Sequence, residues 1–191
     1  ADGDLAVTSG QTIYTDNTRS AVASTASVGQ PSITLSNASG FAAGQEVLVI
    51  QMQGTGVGLY EFGTIASIIS NTLTLSKNLT NIFTIGGVSK AQVIRVMQYH
   101  DVTVQSSGIL TAHAWDGSTG GIVAFRASNA VDVQAGGKIN ATGLGFRGGI
   151  QYSGYPDQLG TQGEGTAGPL GTQTQSANGN GGGGGGFWGN C

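Results

Sequence analysis

Charged residues are scarce in this sequence. Asp, Glu, Lys and Arg make up only 9% of its 191 residues, whereas ordinary soluble domains contain roughly 25%. The seven cations are scattered and the formal net charge is -3, so the chain has no basic stripe of the kind that binds a phosphate backbone. The sequence therefore excludes nucleic acid as an expected partner.

Cysteine and long apolar runs are lacking as well. The single cysteine is Cys191, so no disulfide can form within the sequence, and an odd thiol favours a bridge to another molecule. No apolar run approaches the roughly 18 residues of a membrane helix, which predicts that the chain does not span a membrane. Residues 1–4 lack the charged and apolar regions of a signal peptide. We therefore expect a mature, secreted protein at the cell surface.

What the chain does contain is a short repeat. Residues 102–112 (VTVQSSGILTA) align without a gap on residues 131–141 (VDVQAGGKINA), and each copy reads as a strand, a corner of small residues and a second strand. A fixed period of this kind is typical of solenoids, in which each unit buries its apolar face against the next. The repeat therefore predicts a short stack of β-helix-like rungs over residues 100–149.

A fainter copy of the repeat stands at the N-terminus. Leu5, Val7 and Ile13 follow the apolar pattern of the repeat. Residues 1–27 are therefore predicted either to add a rung to the stack or to donate a strand to a neighbouring molecule. The three apolar residues are candidates for an assembly interface, whereas residues 19–30 are small and polar and read as a connector.

Residues 28–99 show the clearest alternation of apolar and polar side chains. They contain five or six strands of four to ten residues, separated by turns rich in Gly and Asn, which predicts a small antiparallel β-barrel or sandwich. The expected fold class is thus all-β. The barrel or sandwich is inserted into, or joined to, the short rung domain.

A glycine-rich segment occupies residues 150–191. About half of the 35 glycines follow residue 142, and residues 181–186 are an unbroken glycine run. This composition fits either a flexible tail or ordered polyglycine packed against copies of itself. The adjacent Phe187 and Trp188, together with Cys191, are further candidates for an assembly interface.

No catalytic constellation stands out in the sequence. His100, Asp101, His113 and Asp116 are the residues closest to an acid–base cluster, but they fall at strand ends and turns, where Asp is common for local hydrogen bonding. The nucleophile-elbow, P-loop and zinc motifs are absent. We therefore expect neither enzymatic activity nor an organic cofactor.

Calcium is the one metal that the sequence suggests. Asp2, Asp4 and Asp16 offer oxygen ligands at close spacing, and extracellular modules often bind calcium weakly through such groups. The three residues are candidates for a structural calcium site.

Three stretches carry a resemblance to known proteins. Residues 40–54 (GFAAGQEVLVIQMQG), 114–127 (AWDGSTGGIVAFRA) and 143–149 (GLGFRGG) resemble secreted bacterial glycine-rich surface proteins of the adhesin type, which join β modules to a glycine-rich region. The resemblance implies adhesion or extracellular assembly and carries over no functional residue. Together with the low charge and the uncapped repeat, it predicts a structural subunit of an extracellular filament or surface layer, which polymerises with copies of itself by β-strand pairing.

Two alternative functions stay open on the sequence. The first is a carbohydrate-binding or receptor-binding adhesin module for surface glycans, with aromatic stacking platforms at Trp115, Tyr152, Tyr155 and Trp188. The second is a polysaccharide lyase or hydrolase of the β-helix type, which would depend on Asp101 or Asp116.

Overall fold

The structure is a computed structural model that describes residues 2–149 and 163–168. These residues form strands and turns without a helix, so none of them belongs to a helix that could cross a membrane. The predicted all-β fold class is confirmed. The strands of the described residues are, in chain order, β1 (Gly3–Val7), β2 (Thr12–Tyr14), β3 (Arg19–Ala21), β4 (Ser32–Thr34), β5 (Glu46–Gln53), β6 (Tyr60–Ile69), β7 (Thr72–Leu75), β8 (Lys90–Arg95), β9 (Met97–Val104), β10 (Ile109–Thr111), β11 (Phe125–Val133) and β12 (Lys138–Ile139).

Six of these strands stack as three rungs with parallel pairing. The first rung consists of β1 and β2, the second of β9 and β10, and the third of β11 and β12. Strand β9 lies between β1 and β11 in one sheet, and β10 lies between β2 and β12 in the other. The faint N-terminal copy of the repeat therefore pairs with the second rung of its own chain.

Equivalent aliphatic side chains stand above one another in three columns. The columns are Leu5–Val102–Val131, Val7–Val104–Val133 and Ile13–Leu110–Ile139. In the second rung all three side chains are buried, because a neighbouring rung covers them on each side. The second rung is thus the centre of the stack.

Each rung bends through the same four-residue turn. The N–H of the fourth residue donates to the carbonyl of the first in Thr8–Gln11 (3.0 Å), Gln105–Gly108 (2.8 Å) and Gln134–Gly137 (2.8 Å). The third residue has a positive φ in every turn, namely 74° at Gly10, 62° at Ser107 and 85° at Gly136. This is the pattern of a type II turn, whose third position favours glycine.

The remaining strands form one antiparallel sheet, which the chain builds between the first and second rungs. The strand order is β3-β8-β5-β6-β7-β4, and the sheet curls into a half-barrel around an apolar core that includes Phe41, Val49 and Phe83. The chain leaves the rung stack after β2 and re-enters it at β9. The antiparallel unit that the sequence predicts is thus a six-stranded half-barrel sheet, inserted into the rung domain between β2 and β9.

Strand β3 lies where the sequence predicts a connector. It pairs antiparallel with β8, yet Ser20 is the one buried residue among its three. A strand this short, with a polar residue as its only buried member, shows no alternation of apolar side chains. The sequence therefore carries no strand signal at this point.

Candidate functional site

An apolar groove of about 340 Å³ lies between the antiparallel sheet and the segment that enters β11. Its floor contains Leu48 and Val96, which are buried. Its rim carries Tyr60, which is 59% exposed, and Phe62, which is 44% exposed. Such solvent-exposed aromatic rings above an apolar floor are typical of ligand-binding surfaces.

The pleat of two neighbouring strands explains why these side chains share one face. Tyr60 pairs with Ile50 and Phe62 pairs with Leu48 in the antiparallel ladder between β6 and β5. Side chains two residues apart point to the same side of a strand. Glu61, between the two aromatic residues, instead turns to the opposite side and accepts hydrogen bonds from Thr80. The two rings meet edge to face, with centroids 6.1 Å apart.

Arg126, which lines the groove, forms an ion pair with Glu46. Arg126 on β11 donates to both carboxylate oxygens of Glu46 on β5, at 2.6 and 2.8 Å, and Gln98 donates to the same carboxylate. The guanidinium carbon of Arg126 lies 4.7 Å from the centroid of the Phe62 ring, which is the distance of a cation–π contact. These contacts hold the charged groups and the ring of Phe62 in one arrangement.

The hydrogen bonds of this pair shift the acidity of both partners. Donation by Arg126 holds the pKa of Glu46 below its ordinary value, although partial burial opposes this shift. The same hydrogen bonds raise the pKa of Arg126. Both groups are therefore charged at neutral pH, and Glu46 does not hold a proton that it could transfer.

Trp115 has a different environment from the one predicted for it. Its side chain is 2% exposed, and Phe146 packs edge-on against it with centroids 5.8 Å apart. Neither face of the indole is free to stack on a sugar, so this candidate platform is part of the protein interior. Tyr152, Tyr155 and Trp188 lie outside the described residues.

The aromatic pair of the groove, Tyr60 and Phe62, was not singled out by sequence reasoning. The available signal is the tripeptide Tyr60-Glu61-Phe62, in which two rings alternate with a charged residue. In a half-buried strand such alternation predicts rings that face the core. The rings are exposed here because they lie on the face of β6 opposite to Ile65, the buried core residue of this strand.

The N-terminal candidates for an assembly interface lie in the rung stack. Val7 is fully buried, and Leu5 and Ile13 pack against the same cluster of rung side chains. Their proposed role in assembly stays a prediction. Phe187, Trp188 and Cys191 lie outside the described residues.

The structure does not bring the three calcium candidates together. Asp2 accepts hydrogen bonds from Arg95 and from the N–H of Gln98, both at 2.6 Å. Asp16 is buried and accepts two hydrogen bonds from His113, both at 2.9 Å. Structural calcium stays a prediction.

Asp4, the third calcium candidate, belongs to an exposed group with His100 and Asp101. Asp4 accepts from the N–H of Asp101 at 3.2 Å, and Asp101 accepts from the N–H of Ala130 at 3.0 Å. The carboxylates of Asp4 and Asp101 therefore each hold the backbone of the following rung. A hydrogen bond from Asn129 is the main cause that holds the pKa of Asp101 below its ordinary value.

Asp116, the other acidic candidate for catalysis, is engaged locally. Its carboxylate accepts from the N–H groups of Ser118 and Thr119, both at 2.8 Å. Partial burial alone would raise its pKa, but these hydrogen bonds outweigh the burial and lower it. Asp116 thus shapes a turn, as Asp commonly does.

Comparisons with known proteins leave the family open. No protein-family model matches this chain, and no curated protein does. The Gp54 tailspike of Acinetobacter baumannii bacteriophage AP22, solved with A. baumannii capsular saccharide, is 10% identical, with a TM-score of 0.35 over 59% of this chain and 22% of the tailspike.

Two further tailspikes are similar at the same level. The gp49 tailspike of Pseudomonas phage LKA1 is 12% identical, with a TM-score of 0.35 over 59% of this chain and 27% of its own. The gp61 tailspike of Pseudomonas phage phi297 is 12% identical, with a TM-score of 0.35 over 60% of this chain and 18% of its own. This chain spans less than a third of each tailspike. Likeness at this TM-score carries no argument about function.

Proposed function

We propose that this chain is a non-enzymatic protein of the cell exterior that binds surface carbohydrate in the groove between β6 and β11. The observation that carries the proposal is the exposed ring pair of Tyr60 and Phe62 beside the fixed charges of Arg126 and Glu46. This corresponds to the adhesin alternative of the sequence, with a different set of aromatic residues.

The chemistry of the groove matches that of a sugar ring. A pyranose has apolar C–H faces, which pack on aromatic rings, and hydroxyl groups around its edge, which need hydrogen-bond partners. Tyr60 and Phe62 supply the apolar contact, and Tyr60 adds a hydroxyl group. Arg126 and Glu46 supply oriented donors and acceptors at the rim, which fix the orientation of a bound ring.

The size of the exposed ring surface predicts weak binding at a single site. Covering roughly 150 Å² of apolar surface is worth about 4 kcal/mol at about 25 cal/mol per Å², before the cost of immobilising the ligand is subtracted. Even before that cost is subtracted, a free energy of that size corresponds to a dissociation constant of only about 1 mM, so a single site should bind no more tightly than this. Useful adhesion would then require many copies on one surface, where avidity multiplies weak contacts.

A glycan array followed by titration of the best ligands tests the carbohydrate site. Replacing either ring, in Tyr60→Ala or Phe62→Ala, is expected to weaken binding by about fivefold or more, because each removes one face of the contact. Tyr14→Ala removes a ring that is 39% exposed and stacks on His113, so it is the matched control and should bind normally. The proposal would be contradicted if Tyr60→Ala and Phe62→Ala bound glycans as tightly as Tyr14→Ala does. It would also be contradicted if the parent protein bound no glycan.

The non-enzymatic part of the proposal has its own test. The protein is incubated with uronate polymers and common glucans, and the products are separated by chromatography. We expect no chain cleavage, because the groove charges are paired with each other and Asp101 and Asp116 are engaged by local donors. Cleavage that disappears in Asp101→Ala or Asp116→Ala would instead establish a lyase or hydrolase.

Assembly is a second candidate function, and a specific observation favours it. In the third rung Val131, Val133 and Ile139 are 47%, 42% and 43% exposed, although their counterparts in the second rung are buried. An end rung of this kind offers both apolar side chains and unpaired backbone to another strand. We propose that a strand of another polypeptide pairs here. A chain that neither self-associates on sedimentation nor binds any rung-like peptide would contradict this second function.

A further inference from the structure

The two ends of the rung stack are chemically different. In the second and third rungs, the N–H of the first turn residue donates to the rung below, from Gln105 to Val7 O and from Gln134 to Val104 O, both at 2.9 Å. The equivalent N–H of the first rung belongs to Thr8, and it donates at 3.1 Å to the side-chain oxygen of Gln11. The Gln11 side chain therefore replaces the carbonyl of an absent rung and caps this end.

A side chain at the turn position of Gln11 prevents another rung from stacking beneath the first one. Its counterparts are Gly108 and Gly137, and a Cβ at these glycines would lie 2.8 Å from Val7 O and 2.5 Å from Val104 O, respectively. Both distances are below van der Waals contact, so a rung that rests on another rung needs glycine at the fourth turn position. Gln11 carries a side chain at this position, and a rung placed beneath the first one would collide with it.

Among the residues that the structure describes, no strand covers the opposite end of the stack. Val7 O and Val104 O each accept a hydrogen bond from the rung above, as do Gln11 O (from Ile109, 2.8 Å) and Gly108 O (from Lys138, 3.0 Å). Within residues 2–149 and 163–168, no hydrogen bond reaches the equivalent carbonyls of Val133 and Gly137. These carbonyls flank the exposed side chains of the third rung, so the edge continues the interface that joins the second and third rungs.

We propose that the third rung binds one further rung, supplied in parallel by an extended segment of a different polypeptide. This partner has aliphatic residues above Val131, Val133 and Ile139, and glycine at the fourth position of its turn. The first rung of a second copy is not the partner, because Gln11 would meet Val133 O. Residues 140–191 contain no such pattern of aliphatic residues and turn glycine. The inference rests on the second proposed function and is independent of the carbohydrate groove.

Three labelled peptides test the inference by fluorescence anisotropy with the full chain. The second-rung peptide, residues 97–112, should bind, because it has the aliphatic pattern and Gly108. The same peptide with Gly108→Gln should bind at least tenfold more weakly. The first-rung peptide, residues 2–15, should not bind. On the protein, Val133→Asp should abolish binding of the second-rung peptide, whereas Val28→Asp, at a site that is 57% exposed outside the rungs, should leave it unchanged.

The outcomes separate the inference from the function on which it rests. Equal binding of the second-rung peptide and its Gly108→Gln variant would overturn the steric argument and retain assembly at the third rung. Self-association of the chain that Val133→Asp abolishes would identify a second copy as the occupant, and would likewise overturn the inference alone. If no peptide bound and the chain did not self-associate, both the inference and the second proposed function would be overturned.

Discussion

Among single residues, the fourth position of the rung turn is tightly constrained. Gly108 has an ordinary φ, so its need for glycine comes from the carbonyls beneath it. Gly10, at the third position of the first turn, has a φ of 74°, and a Cβ at this residue would meet no atom within 4 Å. The two glycines therefore separate a steric requirement from a conformational one.

Gly108→Ala is expected to destabilise the fold by about 2 kcal/mol, as overpacking of a tight interior typically does. Gly10→Ala is the matched comparison and should cost about 1 kcal/mol, because only the left-handed backbone conformation is disfavoured. Urea denaturation of the two variants and the parent protein measures the difference. If Gly108→Ala were as stable as the parent, the rungs would be packed less tightly than the structure shows.

At the scale of single residues, the sequence predicts burial where a local pattern sets it and fails where a distant segment of the chain sets it. The apolar columns of the rungs could be predicted because alternation in Val102 and Val104 repeats in Val131 and Val133. The ring pair of the groove could not, because exposure of Tyr60 depends on where β11 passes, which no local pattern encodes. Trp115 shows the converse, since its large apolar surface is buried against Phe146.

Among the elements, buried glutamines hold glycine-rich segments against the sheet. Gln92 on β8 donates to Gly120 O and accepts from Gly120 N, both at 2.8 Å. Gln53 on β5 donates to the carbonyls of Gly165 and Gly168, at 2.9 and 2.7 Å. A side-chain amide has the same donor and acceptor as a peptide group, so these residues extend the hydrogen bonding of the sheet beyond its strands.

An ion pair also holds residues 163–168, the segment that Gln53 contacts. Glu164 is fully buried and accepts two hydrogen bonds from the Arg147 guanidinium, both at 2.8 Å. Burial alone would raise the pKa of Glu164, but the hydrogen bonds from Arg147 outweigh it and hold the pKa below the ordinary value. The charged form is thus the one that the fold stabilises.

The direction of this shift predicts how stability depends on pH. A depressed carboxyl pKa adds stability above the unfolded-state value of about 4.3 and loses it as the pH falls through the folded-state value. We expect the urea midpoint of the parent protein to fall on acidification below about pH 4.3. In Glu164→Gln this part of the fall should be absent. Identical pH profiles for the two proteins would show that the ion pair does not contribute.

Composition alone could not predict order at residues 163–168. A glycine-rich stretch indicates a flexible tail. The groups that hold this one, Gln53 and Arg147, precede their partners Gly165 and Glu164 by 112 and 17 residues in the sequence. The strand pattern of residues 46–53 predicts β5 but does not reveal that Gln53 is buried. Its partner is a backbone group, which leaves no signature in the side chains of residues 163–168.

For the whole molecule, the groove exists only where the inserted sheet meets the rung stack. Glu46 belongs to β5 and Arg126 to β11, and their pair joins the two parts. Because the Arg126 side chain is 50% exposed, solvent screening limits the pair to about 1 kcal/mol or less of stability. Its larger effect is on the geometry of the carbohydrate groove.

The cap at Gln11 predicts how one substitution would change the behaviour of the whole chain. Gln11→Gly removes the side chain that blocks stacking beneath the first rung, so the third rung of one copy could receive the first rung of the next. We expect self-association that grows with concentration in sedimentation velocity. Gln11→Ala removes the same amide but keeps the Cβ, and it should sediment as the parent does. Association of both variants, or of neither, would contradict the steric role of this position.

The inserted sheet also bears on the order in which the chain folds. The contact between Asp101 and Ala130 in neighbouring rungs spans 29 residues, whereas that between Asp4 and Asp101 spans 97. Closing the longer loop costs roughly 1 kcal/mol more entropy if both loops are flexible, and distant contacts slow folding. The second and third rungs should therefore form before the first. If so, the first rung, whose turn carries the cap, joins the stack last, after the sheet between it and the second rung has folded.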